Sequence, residues 1–266
     1  MKRWLPFVKS DPMVAVIRLS GMIASTPARN GLNDETIGPV IEKAFSRGKP
    51  DAVALVVNSP GGSPVQSSLI GARIRRLATE KKIPVIAFVE DVAASGGYWL
   101  AAAADEIYAD PSSVVGSIGV IAASFGAHEF IERHGIERRV YTAGKSKSML
   151  DPFRPEQPDD VARLKTLLED IHINFRDHVT DRRGAKLSDK HELFTGEIWL
   201  AQRAVELGLI DGIGHIHPML KERFGDKVHL RQYGVRKGIL SRFGAQVFQD
   251  ALQGIEERAA YARFGL

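Results

Sequence analysis

The chain has 266 residues, 44% hydrophobic and 26% charged, a composition that suits one large domain able to bury its own core. It contains no cysteine, which excludes a disulfide scaffold, a cysteine nucleophile and every cysteine-ligated metal or iron–sulfur site. The net charge of +4 is uneven: residues 1–10 carry three basic groups and no acid, residues 221–266 carry nine basic against five acidic, and residues 11–220 are net −3.

The chain opens on a basic segment, residues 1–12, with no apolar stretch behind it, so it does not read as a secretory signal. No transmembrane span is visible, because the apolar runs are strand-length. The expected location is the cytoplasm. The basic ends read as solvated tails or as peripheral contacts for the anionic inner membrane face. Nothing interleaves aromatic and basic residues as nucleic-acid binding would require.

Val14–Leu19 predicts a buried strand, and Asn33 an N-cap for a helix reaching Arg47. Ala52–Val57 predicts a second strand, broken at Asn58-Ser-Pro-Gly-Gly62. Ser63 and Pro64 then open a helix to Lys81. Pro84–Val89 predicts a strand and Ala93-Ala-Ser-Gly-Gly97 a turn into an alanine-rich helix. Short strands follow at Glu106–Ala109 and Ser113–Ile121, a helix at Phe125–His134 and a strand at Arg139–Tyr141. Residues 144–158 read as an irregular polar loop, and Asp159–Arg182 as a long helix. Trp199–Leu207 reads as a helix closed by Gly208. The signal weakens after Gly214, and Gln246–Ala262 reads as an amphipathic helical arm. Strands alternating with helices argue an α/β fold with a mostly parallel sheet, whose ligands sit at the carboxyl ends of strands.

Two small-residue turns fall at such ends. Ser95, between two alanines and two glycines, reads either as tight strand–helix packing with an incidental serine or as an exposed nucleophile facing helix N–H groups. Asn58–Gly62 reads either as an ordinary turn or as backbone donors for an oxyanion. None of the eight histidines lies in a Gly- or Pro-marked turn at a predicted strand end and most look like surface residues, so a Ser–His–Asp triad stays open but nothing nominates one. His215-Ile-His217 lacks a third metal ligand. Lys145 and Lys147, in the loop after Tyr141, read either as solvated lysines or as a base whose pKa burial would lower.

Taken together, Asn58-Ser-Pro-Gly-Gly62, Ala93-Ala-Ser-Gly-Gly-Tyr98, Gly116-Ser-Ile-Gly-Val120, Lys147-Ser-Met-Leu150 and Ala204 with Gly208-Leu-Ile-Asp211 resemble the signal peptide peptidase A family of serine peptidases, SohB-like members included. The resemblance covers residues 13–220. It implies a ClpP/crotonase-like fold of repeated β-β-α units and a Ser–Lys dyad without metal or cofactor. By it, Ser95 is the nucleophile and Lys147 the general base, with Lys145 less favoured. Ser117 orients the lysine, while Gly62 and Gly96 form the oxyanion hole. It further implies cleavage of extended peptides, such as signal-peptide remnants or unfolded segments, by a ring or dome of identical chains. Residues 221–266 then form a C-terminal extension, an assembly arm. Two other readings keep the fold: a non-catalytic scaffold, and a crotonase-type acyl-CoA enzyme using Glu90, Asp91 or Asp105.

Overall fold

The computed structural model describes residues 11–26, 31–144, 146–234, 258 and 260–265. The basic residues 1–10, Lys145 and most of the expected arm at Gln246–Ala262 lie outside the described residues. The chain divides into two compact units, one running to Ile118 and resuming at Arg176, the other Gly119–Phe175.

The first unit is built on an eight-stranded sheet. Strands β1 (Met13–Ser20) and β2 (Ala52–Ser59) are almost continuously apolar because helices cover both faces. β3 (Val85–Ala94) is longer than expected, because its two halves serve different partners. Ile86–Val89 pairs with β4 (Glu106–Ala109), and Val92–Ala94 pairs with β5 (Val114–Gly116). The order across the sheet is completed by β6 (Ile198–Leu200), β7 (Gly212–Ile213) and β8 (His229–Tyr233). Every pairing is parallel except β5 with β6.

On one face lie α1 (Asp34–Ser46), α2 (Pro64–Lys81) and α3 (Gly96–Ala102). Asn33 caps α1 by accepting from Glu35 N at 3.0 Å, and Ser63 caps α2, as the sequence predicts. On the other face Val14, Val16, Ala54, Val56, Ile86 and Phe88 form a cluster closed by Leu220. Leu220 belongs to α7 (Ile216–Phe224). Burying each of its Val, Ile, Leu and Phe side chains contributes about 1.5–3 kcal/mol.

Several expectations need correction. Ile198-Trp199-Leu200 is a strand, paired antiparallel with Val114–Gly116, and only Ala201–Glu206 (α6) is helical; bulky side chains favour the sheet edge. The expected strand at 113–121 stops at Gly116, where Gly116 and Ser117 take φ values of 110° and 52°. The sheet also passes residue 220: β8 pairs with β1 in parallel along its length. Of the C-terminal segment, Tyr261 donates its hydroxyl to Asn58 O at 2.8 Å.

The second unit holds α4 (His128–Arg133), shorter than expected, and the start of α5 (Pro158–Arg183). Arg139–Tyr141 is not a strand; these residues have no neighbouring strand to pair with, and Tyr141 is 91% exposed. Among the described residues no helix is long and apolar enough to cross a membrane.

Candidate active site

Ser95 joins β3 to α3. Val92–Ala94 before it and Gly96–Ala102 after it are fully buried, while Ser95 alone is half-exposed. Its backbone takes φ 51° and ψ −123°, a left-handed φ that costs a non-glycine residue about 1–3 kcal/mol. The surroundings impose it. Ser95 N donates to Gly116 O at 2.9 Å, and Trp99 N donates to Ser95 O at 3.0 Å. The turn after β2 lies directly alongside, since a Cβ on Gly61 would fall 2.8 Å from Ser95 Cβ. Among the described residues no hydrogen-bond partner holds Ser95 Oγ.

Gly62 sits in that same turn. Ile23 bridges it, with Ile23 N donating to Gly61 O at 2.8 Å and Ser63 N to Ile23 O at 2.7 Å. Both bonds belong to its neighbours, so the N–H of Gly62 itself faces away from Ile23. Its φ of 140° and an Ile23 oxygen 2.1 Å from any added Cβ leave room for glycine alone. Gly96 is the first helical residue of α3, so its N–H has no acceptor within the helix.

Ser117 follows β5 as Ser95 follows β3, and the two strands pair through Ala94 and Gly116. Ser117 also has a left-handed φ, and its N–H donates to Glu197 O at 2.7 Å. Ser95, Gly62, Gly96 and Ser117 thus share the first unit. Lys147 belongs to the second. It is exposed, in a turn where its N–H donates to Gly144 O at 3.2 Å.

The second unit also contains a groove of about 940 Å³, lined by Phe125, His128, Ser148, Asp151, Arg154 and Arg163 among others. The Phe153 N–H, and then the Arg138 guanidinium, hold the Asp151 carboxyl below the usual carboxylate range.

The carboxylates near Ser95 in sequence are engaged elsewhere. Glu90 forms a two-bond pair with Arg18, and Asp91 accepts from Asn58 Nδ2 at 2.5 Å. Asp105 stands past the other end of α3, bound to Arg75 at 2.8 Å. His215 pairs with Asp110 at 2.8 Å. The Gly208–Asp211 motif is structural. Arg183, 3% exposed, donates to Gly208 O at 3.0 Å and to Asp211 at 2.7 Å.

The sequence reading missed His178 and Arg182. Most histidines were expected at the surface; His178 and Arg182 are half-buried and bond to the carbonyls at the far end of α3. Burial pushes the His178 imidazole down to about 4. The available signal was helical spacing: Phe175 and Val179, both buried, share their face of α5.

Comparison with known proteins bears on the family and the fold. The family described as "Peptidase family S49" matches residues 78–227. A protein named Na(+)/H(+) antiporter NhaA from Brucella abortus (strain 2308) is 46% identical over an alignment of 286 residues, which covers the whole chain but 39% of that relative. The probable protease SohB of Haemophilus influenzae is 32% identical over 219 residues, 82% of this chain and 60% of that protein. Among solved structures, a mutant of the 1510-N membrane-bound stomatin-specific protease matches with a TM-score of 0.51 and 17% identity, over 85% of this chain and 99% of that one.

Proposed function

The chain belongs to peptidase family S49, with the ClpP/crotonase-like fold and relatives of the SppA and SohB kind, and from that premise we propose that it is a serine endopeptidase with a Ser95–Lys147 dyad. The observation that carries this reading is Ser95 itself, a half-exposed serine strained into a left-handed turn amid buried neighbours. Strain of that kind is kept where a group must stand clear of the backbone for reaction.

In the proposed reaction, Lys147 takes the Ser95 hydroxyl proton as Oγ attacks a peptide carbonyl. The N–H groups of Gly62 and Gly96 stabilise the oxyanion. Ser117 orients the lysine. The lysine ammonium then protonates the leaving amine, and water, deprotonated by the same lysine, hydrolyses the acyl-enzyme. The substrate is an extended peptide paired along a strand edge, such as a signal-peptide remnant or an unfolded segment, with small or apolar side chains near the cleaved bond. Identical chains assemble around the site, a reading supported by the exposed apolar side chains of the second unit, Phe125 and Phe130 among them. The basic ends support peripheral contact with an anionic membrane surface.

The test is labelling by a serine-directed fluorophosphonate, wild type beside Ser95→Ala and Lys147→Ala, with the labelled peptide identified by mass spectrometry. Labelling at Ser95 that requires Lys147 is the expected result. A folded, assembled wild type that takes no label would overturn the proposal.

A further inference from the structure

Ser95 lies at the amino end of α3, and the opposite end of that helix is gripped by side chains from two other helices. The last carbonyls of a helix have no partner within it. Here Leu100 O and Ala101 O accept from the N–H groups of Ala103 and Ala104, at 3.2 and 3.0 Å, and side chains meet the carbonyls on either side. His178 Nε2 donates to Trp99 O at 3.0 Å, and Arg182 donates to Ala102 O at 3.2 Å and to Ala104 O at 3.0 Å. Arg75, from α2, donates to Ala103 O at 3.1 Å. The His178 ring also stacks on Trp99, with centroids 4.7 Å apart and planes 12° from parallel. A carbonyl only accepts, so Nε2 carries the ring hydrogen.

The grip closes a loop around the turn. Asp105 Oδ1 accepts from both Arg75, at 2.8 Å, and Arg182, at 3.1 Å. Its Oδ2 accepts from Val85 N at 2.9 Å, and its own N–H donates to Val85 O at 2.8 Å. Val85 is the first residue of β3, the strand that leads into Ser95. Strand, serine turn and helix are therefore tied together at their far ends. Trp99 connects the clasp to the turn, since its carbonyl takes the His178 bond while its N–H donates to Ser95 O at 3.0 Å.

We infer that His178 and Arg182 are positioning residues for Ser95, acting through α3 to fix the serine turn and the Gly96 N–H together. This rests on the reading of Ser95 as nucleophile. A strained residue stays in place only where its surroundings over-determine it. A helix of seven residues has too few internal bonds to do that alone. Releasing its far end lets Ser95 Oγ and the first N–H of the helix shift as one body, and a displacement of about 1 Å at a reacting group can cost about 100-fold in rate.

The experiment uses the full chain. His178→Phe keeps the ring stack and removes the donor, while His178→Gln keeps a donor and removes the stack. Arg182→Met and Arg182→Lys form the matching pair. The readouts are the rate of fluorophosphonate labelling at Ser95, kcat and KM on a fluorogenic peptide, and the thermal midpoint. His178→Phe and Arg182→Met are expected to lose about 10- to 100-fold in labelling rate and kcat with KM nearly unchanged. His178→Gln and Arg182→Lys are expected to recover most of that loss. The inference is overturned if His178→Phe labels at the wild-type rate, or if the donor-keeping variant loses rate as the donor-free one does. The His178 pair decides the matter even if Arg182→Met fails to fold. If wild type labels at a residue other than Ser95, or not at all, the nucleophile reading fails first and the inference falls with it.

Discussion

The two units of this chain are stabilised in opposite ways. Among the described residues, Phe175 is the one fully buried apolar residue of the second unit, and all the others belong to the first. Of thirteen large hydrophobic side chains that stand exposed among the described residues, eight lie in the second unit. A stretch of that size cannot repay its conformational entropy without burying apolar surface. The first unit buries an extensive apolar core, whereas among its described residues the second buries one apolar side chain. The chemistry proposed above is divided along the same line, with Ser95, Ser117, Gly62 and Gly96 in the first unit and Lys147 in the second. On the proposed chemistry, the unit with the buried core carries the nucleophile, and the unit with one buried apolar side chain among its described residues carries the base.

The largest expected effect tests that division directly. Ser95→Ala and Lys147→Ala should each lower kcat by about 10⁴-fold or more, because members of a nucleophile–base pair act as a unit. Neither should move the thermal midpoint, since neither side chain contributes to the core. Substantial hydrolysis by Lys147→Ala would confine the chemistry to the first unit and break the comparison.

Next come charges. Asp211→Ala leaves Arg183 buried without its carboxylate partner, which should cost about 3–5 kcal/mol in urea unfolding. In the second unit Glu129→Ala removes an exposed i,i+4 partner of Arg133 and should cost about 0.5 kcal/mol or less. Apolar truncations should follow the same pattern. Ile17→Ala, in fully buried β1, should cost about 2–5 kcal/mol. Phe125→Ser, at a side chain 69% exposed, should leave unfolding of the isolated chain nearly unchanged and instead weaken self-association, read by sedimentation. A loss of unfolding stability at Phe125 equal to that at Ile17 would show a core in the second unit after all.

The same contrast explains what could be read from the sequence. The elements β1, α1, β2 and α2 were legible because the strands are long apolar runs and the helices are marked by caps, at Asn33 and the Ser63-Pro64 pair. The turn at Ser95 was legible from its small neighbours, although its strain was not, since φ at a serine depends on what surrounds it. The errors cluster where tertiary pairing overrides local preference. Ile198–Leu200 becomes a strand because β5 offers an edge, and Arg139–Tyr141 does not because nothing does. His229–Tyr233 looked featureless, with mostly polar side chains, and becomes an edge strand by pairing with β1. His178 escaped notice for the converse reason: a histidine within a polar helix gives no sign that another helix ends against it.

His178 also supplies a pH-dependent effect, one confined to the first unit. Its folded pKa, about 4, lies below the ordinary histidine value of 6.5 because burial disfavours the charged ring, with Arg182 adding to this and Asp181 opposing it. Above pH 6.5 neither the folded nor the unfolded state holds the proton, and the stability is fully present. As pH falls from 6.5 towards 4, the unfolded chain takes up a proton that the folded chain refuses, so stability declines. The loss should level off below pH 4, once both states are protonated. At pH 5 the loss should amount to about 1–2 kcal/mol relative to pH 7. Urea unfolding of wild type and His178→Phe at both pH values checks it. The variant is less stable at pH 7 but should lose less on acidification, because it has no ring to charge. Equal acid losses in the two proteins would place the sensitivity elsewhere and would mean that the ring is solvated rather than sealed between α5 and α3.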